Sequence, residues 1–213
     1  QGEPVVSVLC LTYNHVNFIE DAIKGIVGQK TRFAFEVLIH DDASSDGTQE
    51  IIERYAALYP HLIKPVFQKE NKLSKGVNPG RQLLRLVRGG YTAICDGDDY
   101  WVDPNKLQKQ YDFMRRNSGY SCCYHDAFIF NKKGIVKKSK LPDQYKKDFS
   151  QKELLLNRCF VLTVSLFFQS EYIDNPPELD QVKNGDNLFL TMLVEHGKGK
   201  FMPNILPAAY RLH

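Results

Sequence analysis

Several absences narrow the function of this sequence before any motif is read. Its longest nearly apolar run, Phe160 to Phe168, falls far short of the ~20 residues that cross a bilayer, so no transmembrane helix is expected. No secretory leader opens the chain, and Gln1 is not an initiator residue, so the sequence reads as a piece of a longer protein. The cysteines, Cys10, Cys95, Cys122, Cys123 and Cys159, are odd in number and lack Cys-x-x-Cys spacing. They read as reduced core thiols of a cytosolic protein, not as a disulfide framework or a zinc site. No Gly-rich phosphate loop follows the first apolar run, which disfavours a nucleotidyltransferase. Lys and Arg are not spread among aromatics along one face, so nucleic acid is not an expected partner. There is no internal repeat and no linker.

What is present is the composition of a globular chain of 213 residues, 43% hydrophobic and 12% aromatic, with enough apolar side chains to exclude a disordered one. Its net charge of +3 is uneven: Lys132 to Lys147 contains seven lysines and one acid, Asp143, and the rest of the chain is net acidic. Such a run usually faces water as a solvated hairpin and loop. Its sharper reading is contact with a polyanion, either a lipid diphosphate or an anionic membrane surface, so residues 132–147 are a candidate for peripheral membrane contact.

The apolar pattern predicts strand and helix in alternation. Val5 to Leu11 suits a strand covered on both faces, and a helix follows with Asn17 as cap and Ile19, Ile23, Ile26 and Val27 as its buried stripe. Phe35 to Ile39 is a second strand, and Ser44, Ser45 and Asp46 can cap a helix through Ile51, Ile52, Tyr55 and Leu58. Ile63 to Phe67, a helix through Leu83, Leu84 and Val87, and Tyr91 to Cys95 continue the rhythm. Asp103-Pro104 then opens a helix facing inward through Leu107, Tyr111 and Met114. Four such alternations predict an α/β fold with a mostly parallel sheet flanked by helices. After Tyr120 the pattern is mixed: strands near Cys122 and Phe128, a helix near Leu154, a strand from Leu162 to Phe168 and a helix from Asn187 to His196. Both halves are expected to share one sheet.

In open α/β sheets ligands bind beyond the carboxyl ends of the strands. Thr12-Tyr13-Asn14, Asp41-Asp42 and Asp96-Gly97-Asp98-Asp99 all fall there. An Asp-Asp pair alone is most simply a turn with a helix cap. Three acids within four residues gain nothing structurally from proximity, and hard oxygen ligands suit Mg²⁺ or Mn²⁺ bridged to substrate phosphates. A phosphotransfer protein would place its key acid after the first strand, where this chain has none.

Val6-Ser7-Val8-Leu9-Cys10-Leu11-Thr12-Tyr13-Asn14, then Glu36 to Thr48 around His40-Asp41-Asp42, then Asp96-Gly97-Asp98-Asp99-Tyr100-Trp101 with Pro104 and Lys106-Leu107, resemble in order the signatures of glycosyltransferase family 2. The resemblance runs from Val5 to about Gln110 and resumes at Asn184 to His213. It implies the GT-A fold and inverting transfer of a sugar from a nucleotide-diphosphate donor, a UDP-sugar, to a hydroxyl of a saccharide or lipid-linked saccharide. It also implies work in bacterial surface polysaccharide biosynthesis, in the cytoplasm or at the inner face of the membrane. By the same resemblance one catalytic domain fills the chain, with residues 1–119 taking the nucleotide sugar, residues 120–213 taking the acceptor, and a truncation at His213.

Residue by residue, the resemblance gives Thr12, Tyr13, Asn14 and Asp42 to the nucleotide base and Asp96 to the ribose. Asp98, Asp99 or both would hold Mn²⁺ or Mg²⁺, with His213 as a further ligand. Lys72, Lys75 and Arg81 are the candidates for the basic residue that meets the nucleotide. Asp186, in Asn184-Gly185-Asp186-Asn187, is the catalytic base implied, although an Asp there would also cap the following helix. His125-Asp126 reads as a polar pair at a strand end, and Trp101 as packing beneath the metal loop. The alternative function is a non-catalytic nucleotide-sugar or carbohydrate binding module on the same fold.

Overall fold

The first apolar run is buried from Val6 to Cys10, as a strand between two layers must be. The computed structural model describes residues 2–173 and 185–212, apart from the side chains of residues 185 and 186. In chain order the elements are β1 (Val6–Thr12), α1 (Ile19–Val27), β2 (Phe35–Asp41), α2 (Thr48–Leu58), β3 (Ile63–Phe67), α3 (Pro79–Leu84), β4 (Tyr91–Ile94), α4 (Lys106–Met114), β5 (Tyr120–Tyr124), β6 (Ala127–Asn131), β7 (Gly134–Lys137), α5 (Gln151–Leu155), β8 (Phe167–Gln169), α6 (Gly185–Glu195), β9 (Lys198–Phe201) and β10 (Ala208–Arg211).

Seven strands form one sheet in the order β3-β2-β1-β4-β8-β5-β9, and three form a second in the order β10-β6-β7. β3, β2, β1 and β4 pair in parallel. β8 inserts antiparallel between β4 and β5, and β9 pairs in parallel with β5, so both halves of the chain share the main sheet as expected. Alternation along β1 divides the core. Val6, Val8 and Cys10 pack with Ile19, Ile23 and Ile26 of α1 and Ile52 of α2, whereas Leu9 packs with Leu38 of β2 and Leu83 of α3. Each fully buried Ile of α1 contributes roughly 1.5–3 kcal/mol by leaving water.

Near the amino-terminal ends of β1 and β2, Glu36 is 1% exposed and gathers Ser7 Oγ at 2.7 Å, Lys64 Nζ at 2.7 Å and Arg88 Nη2 at 2.7 Å. Burial pushes the Glu36 pKa up, but the hydrogen bonds from Arg88, Lys64 and Ser7 outweigh it and hold the carboxyl below the usual carboxylate range.

Four local expectations are corrected. α1 begins after Phe18 with no side-chain cap, because the His15 carbonyl already accepts the amides of Phe18 and Ile19, so Asn17 lies in a preceding turn. α4 begins at Lys106, and Asp103 closes the turn before it by accepting the Asn105 amide at 2.9 Å. Leu58 is 65% exposed and lies outside the buried stripe of α2. The strand expected over Leu162 to Phe168 is a 3-10 turn, Thr163–Ser165, followed by short β8. Its carbonyls point at side chains instead of a ladder: Trp101 Nε1 donates to Val164 O at 2.7 Å and Gln110 Nε2 to Ser165 O at 3.0 Å.

Candidate active site

The parallel strands β1, β2 and β4 end side by side, which brings their three polar loops together. Pairing with β1 continues past β4, since the Cys95 amide donates to Leu9 O at 2.9 Å and the Gly97 amide to Leu11 O at 2.8 Å. The acidic turn therefore lies directly against the end of β1. A Cβ built on Gly97 would be 2.7 Å from Thr12 Oγ1 and 2.9 Å from Ile19 Cδ1, so glycine is required for this approach. Thr12 is 4% exposed, and its Oγ1 has no hydrogen-bond partner among the described residues.

The β1 and β2 loops are fastened to each other. The Asn14 amide donates to Ser44 Oγ at 2.8 Å, Asn14 Oδ1 accepts the Ser45 amide at 3.0 Å, and Asn14 takes a left-handed φ of 53°. Tyr13 is 45% exposed at the rim. Asp41 accepts the Ser44 amide at 2.9 Å and Gln49 Nε2 at 2.6 Å, so it organises the entry to α2. Asp42 is 3% exposed and accepts the amides of Lys72 at 2.7 Å and Leu73 at 3.0 Å, which fixes the loop after β3 against the end of β2.

Of the basic candidates in that loop, Lys72 and Lys75 both pair with Glu70 at the surface. Arg81, on α3, instead lines a cavity of about 210 Å³ together with Asp96. Asn78 caps α3 at the same wall by accepting the Gly80 amide at 2.9 Å, and Phe189 and Leu190 of α6 close the far side. Asp186 stands one helical turn before Phe189 in α6. That helix begins at Gly185, which places Asp186 in its first turn and not at the cap position; its side chain lies outside the described residues. His213 also lies outside them.

The acidic turn is held from below and from the second sheet. Trp101 is 4% exposed and packs beneath it, with Lys106 Nζ 4.0 Å from the ring centroid. Lys106 is fully buried, donates to Gln110 Oε1 at 2.6 Å, and has its pKa pushed down to about 7 by burial. From β10, the Arg211 amide donates to Asp99 Oδ1 at 2.9 Å and Arg211 Nε to the Asp98 carbonyl at 2.8 Å. Asp99 is 6% exposed; burial pushes its pKa up to about 7, with the Asp98 charge adding to the rise and the Arg211 amide opposing it. The three carboxylates act on one place. Burial first, then the charges of Asp99, Asp98 and Asp96, raise the pKa of Tyr210. Arg211 was not marked by any sequence pattern, because only the pairing of distant strands brings it here.

The other candidates are placed outside this edge. His125 is buried with Nδ1 2.8 Å from the Asp126 carbonyl, and burial pushes its pKa down to about 3. Asp126 accepts the amides of Ala127 at 2.8 Å and Leu141 at 2.9 Å and so fastens the base of the β6–β7 hairpin. All five cysteines are free thiols, four of them buried.

The described side chains at this edge do not enclose a divalent cation by themselves. Among the described residues there is no group of three or more His, Cys, Asp or Glu that could enclose an ion. The clustered negative field of Asp96 and Asp98 suits a cation that takes one or two protein carboxylates and completes its shell from phosphate oxygens and water. Asp99, with one oxygen committed to the Arg211 amide, is the less available of the two metal candidates.

The chain is similar in sequence and in fold to several known proteins. An uncharacterized protein of Mycobacterium tuberculosis (strain ATCC 25618 / H37Rv) is 37% identical over 174 residues, covering 80% of this chain and 49% of its own length. A Bacillus subtilis protein, TuaG, named as a teichuronic acid biosynthesis glycosyltransferase, is 33% identical over 136 residues, covering 61% of this chain and 52% of its own length. The chain thus spans about half the length of these relatives. Among solved structures, S. aureus TarS in complex with UDP superposes with a TM-score of 0.72 at 19% identity, over 97% of this chain and 60% of that one. The mannosyltransferase PcManGT from Pyrobaculum calidifontis, in complex with GDP-Man and Mn²⁺, does so at 0.69 and 16% identity, over 99% and 57%. The α/β architecture, a mostly parallel sheet flanked by helices, is that of GT-A glycosyltransferases. Residues 7–172 match the model described as Glycosyl transferase family 2, and the chain belongs to that family.

Proposed function

We propose that this domain is an inverting glycosyltransferase. It moves a sugar from a UDP-sugar to a hydroxyl of a saccharide or lipid-linked saccharide during polysaccharide biosynthesis, in the cytoplasm or at the inner face of the membrane. Residues 1–119 receive the donor and residues 120–213 the acceptor. The observation that carries this reading is the placement of Asp42, Asp96 and Asp98 beyond the carboxyl ends of β2 and β4, beside a cavity lined by Asp96, by Arg81 of α3 and by Phe189 and Leu190 of α6. TarS in complex with UDP and with UDP-GlcNAc, on the same fold, supports the choice of donor.

Thr12, Tyr13, Asn14 and Asp42 would hold the base and Asp96 the ribose, with Arg81 rather than Lys75 facing the diphosphate. Asp98 would hold Mn²⁺ or Mg²⁺, with His213 as a further ligand, and Asp99 keeps the turn fastened to β10. When bound, the metal supplies positive charge against the departing diphosphate. An acceptor hydroxyl is a weak nucleophile, so Asp186 takes its proton as it attacks the anomeric carbon on the face opposite the leaving group. That direction of attack inverts the anomeric configuration without a covalent intermediate.

Incubation of the domain with a panel of nucleotide sugars, Mn²⁺ and saccharide acceptors should release UDP and form product. Asp186→Ala should abolish transfer while UDP affinity, read by calorimetry, stays within about twofold. Near-normal turnover in that variant would refute the base assignment. UDP binding without product under every condition would favour the non-catalytic binding module.

A further inference from the structure

The β6–β7 hairpin resolves the lysine-rich segment into two groups. At its base, Lys140 Nζ lies 3.6 Å from the Tyr210 ring centroid, and Lys146 pairs with Asp143 at 2.7 Å and Asp126 at 3.4 Å. These lysines are occupied in holding the fold. At its tip, residues 132–138 are exposed without interruption and hold Lys132, Lys133, Lys137 and Lys138 with no acid among them. None of these four side chains makes an ion pair among the described residues. Between them stand Ile135, 64% exposed, and Val136, 56% exposed.

Lysines on an edge strand such as β7 can be explained as protection against edge-to-edge pairing. That account does not explain two β-branched apolar side chains left in water on the same four-residue strand. We propose that the hairpin tip docks on an anionic phospholipid surface, with Ile135 and Val136 entering the headgroup–acyl boundary and the four lysines meeting lipid phosphates. A single-stranded nucleic acid would instead call for exposed aromatics beside the cations, and Phe128 and Phe130 of β6 are half-buried.

The hairpin is also firmly joined to the acidic turn. Phe130 packs edge-on against Tyr100 at 5.4 Å, and the Arg211 guanidinium lies 4.5 Å from the Phe130 ring centroid while its Nε holds the Asp98 carbonyl. Docking the tip would set the carboxylate edge at a fixed height above the membrane, which suits an acceptor carried on a lipid. This last consequence rests on the proposed transfer activity; the lipid contact does not.

The test is sedimentation of the domain with vesicles of phosphatidylglycerol in phosphatidylcholine and with phosphatidylcholine alone. Salt-sensitive binding to the anionic vesicles and little to the neutral ones is expected. Each lysine reversed to glutamate should weaken binding by at least about fivefold, so the pair Lys137→Glu/Lys138→Glu should fall by well over tenfold at unchanged Tm. Ile135→Ser/Val136→Ser should weaken binding severalfold while leaving every charge in place. Equal binding to both vesicle types, full binding by the lysine variant, or retention on a soluble polyanion such as RNA without vesicle binding would overturn the proposal. Because the readout needs no turnover, a domain that transfers sugar but ignores vesicles would refute the surface alone.

Discussion

Arg211→Ala gives the most direct test of how the acidic turn is held. The side chain donates Nε to the Asp98 carbonyl at 2.8 Å and Nη2 to Asp21 at 2.9 Å, and its guanidinium lies 4.5 Å from the ring centroids of both Phe18 and Phe130. The bond to the carbonyl is charge-assisted and worth roughly 1.5–3 kcal/mol. Asp21 is 52% exposed, so that pair adds at most about 1 kcal/mol. The two ring contacts add roughly 0.5–1 kcal/mol each. These terms overlap, and a loss of about 2–4 kcal/mol is expected, or roughly 5–15 °C in Tm for a chain of this size. Arg211→Lys keeps a charge but loses the planar fork, so it should recover less than half of that. Urea denaturation at pH 7 measures the stability, and calorimetry with UDP and Mn²⁺ measures the site, where a loosened Asp98 should weaken Mn²⁺-dependent binding by at least tenfold. A variant within 0.5 kcal/mol of wild type, by the scale of ordinary surface substitutions, with unchanged UDP affinity would refute the clamp.

Two further outcomes follow from the geometry. Gly97→Ala places a methyl 2.7 Å from Thr12 Oγ1 and should cost roughly 1–3 kcal/mol and most of the UDP affinity, whereas Gly90→Ala, with nothing within 4 Å, should be nearly neutral in the same thermal and binding assays. The buried His125, with its pKa pushed down to about 3 from an ordinary 6.5, stays neutral in the fold while the unfolded chain takes up a proton below pH 6.5. The unfolded state then binds more protons, so stability should fall as pH drops from 6.5 towards 3, by up to about 1.4 kcal/mol per pH unit from this group. His125→Leu should flatten that part of the pH profile measured by urea denaturation, and an identical slope would show that another group governs it.

Much of the site was legible in the sequence because its acids follow buried strands, and a strand that ends in acids delivers them to one edge of a parallel sheet. Asp96 and Asp98 stand out in this way, whereas Asp42 was singled out only by the resemblance, and the structure places all three beyond the ends of β2 and β4. Nothing local separates Lys72, Lys75 and Arg81: their different surroundings come from Glu70 pairing with both lysines and from the packing of α3, which puts Arg81 in the wall of the cavity that Asp96 also lines. Lys106 was read only as part of a motif. Its burial under Trp101 and beside Gln110 reverses the ordinary expectation that lysine faces water.

By itself the sequence determined the alternating order of strands and helices, the parallel half of the sheet and the loops that bear the acids, because apolar periodicity is a local property of each segment. The tertiary structure alone decided that β8 enters antiparallel between β4 and β5 and that β10 returns beside β6 in a second sheet. It also decided that Arg211 meets Asp99 across 112 residues of chain. Those contacts have no local signature: they are selected by which distant edges and side chains can satisfy one another once the main sheet has formed.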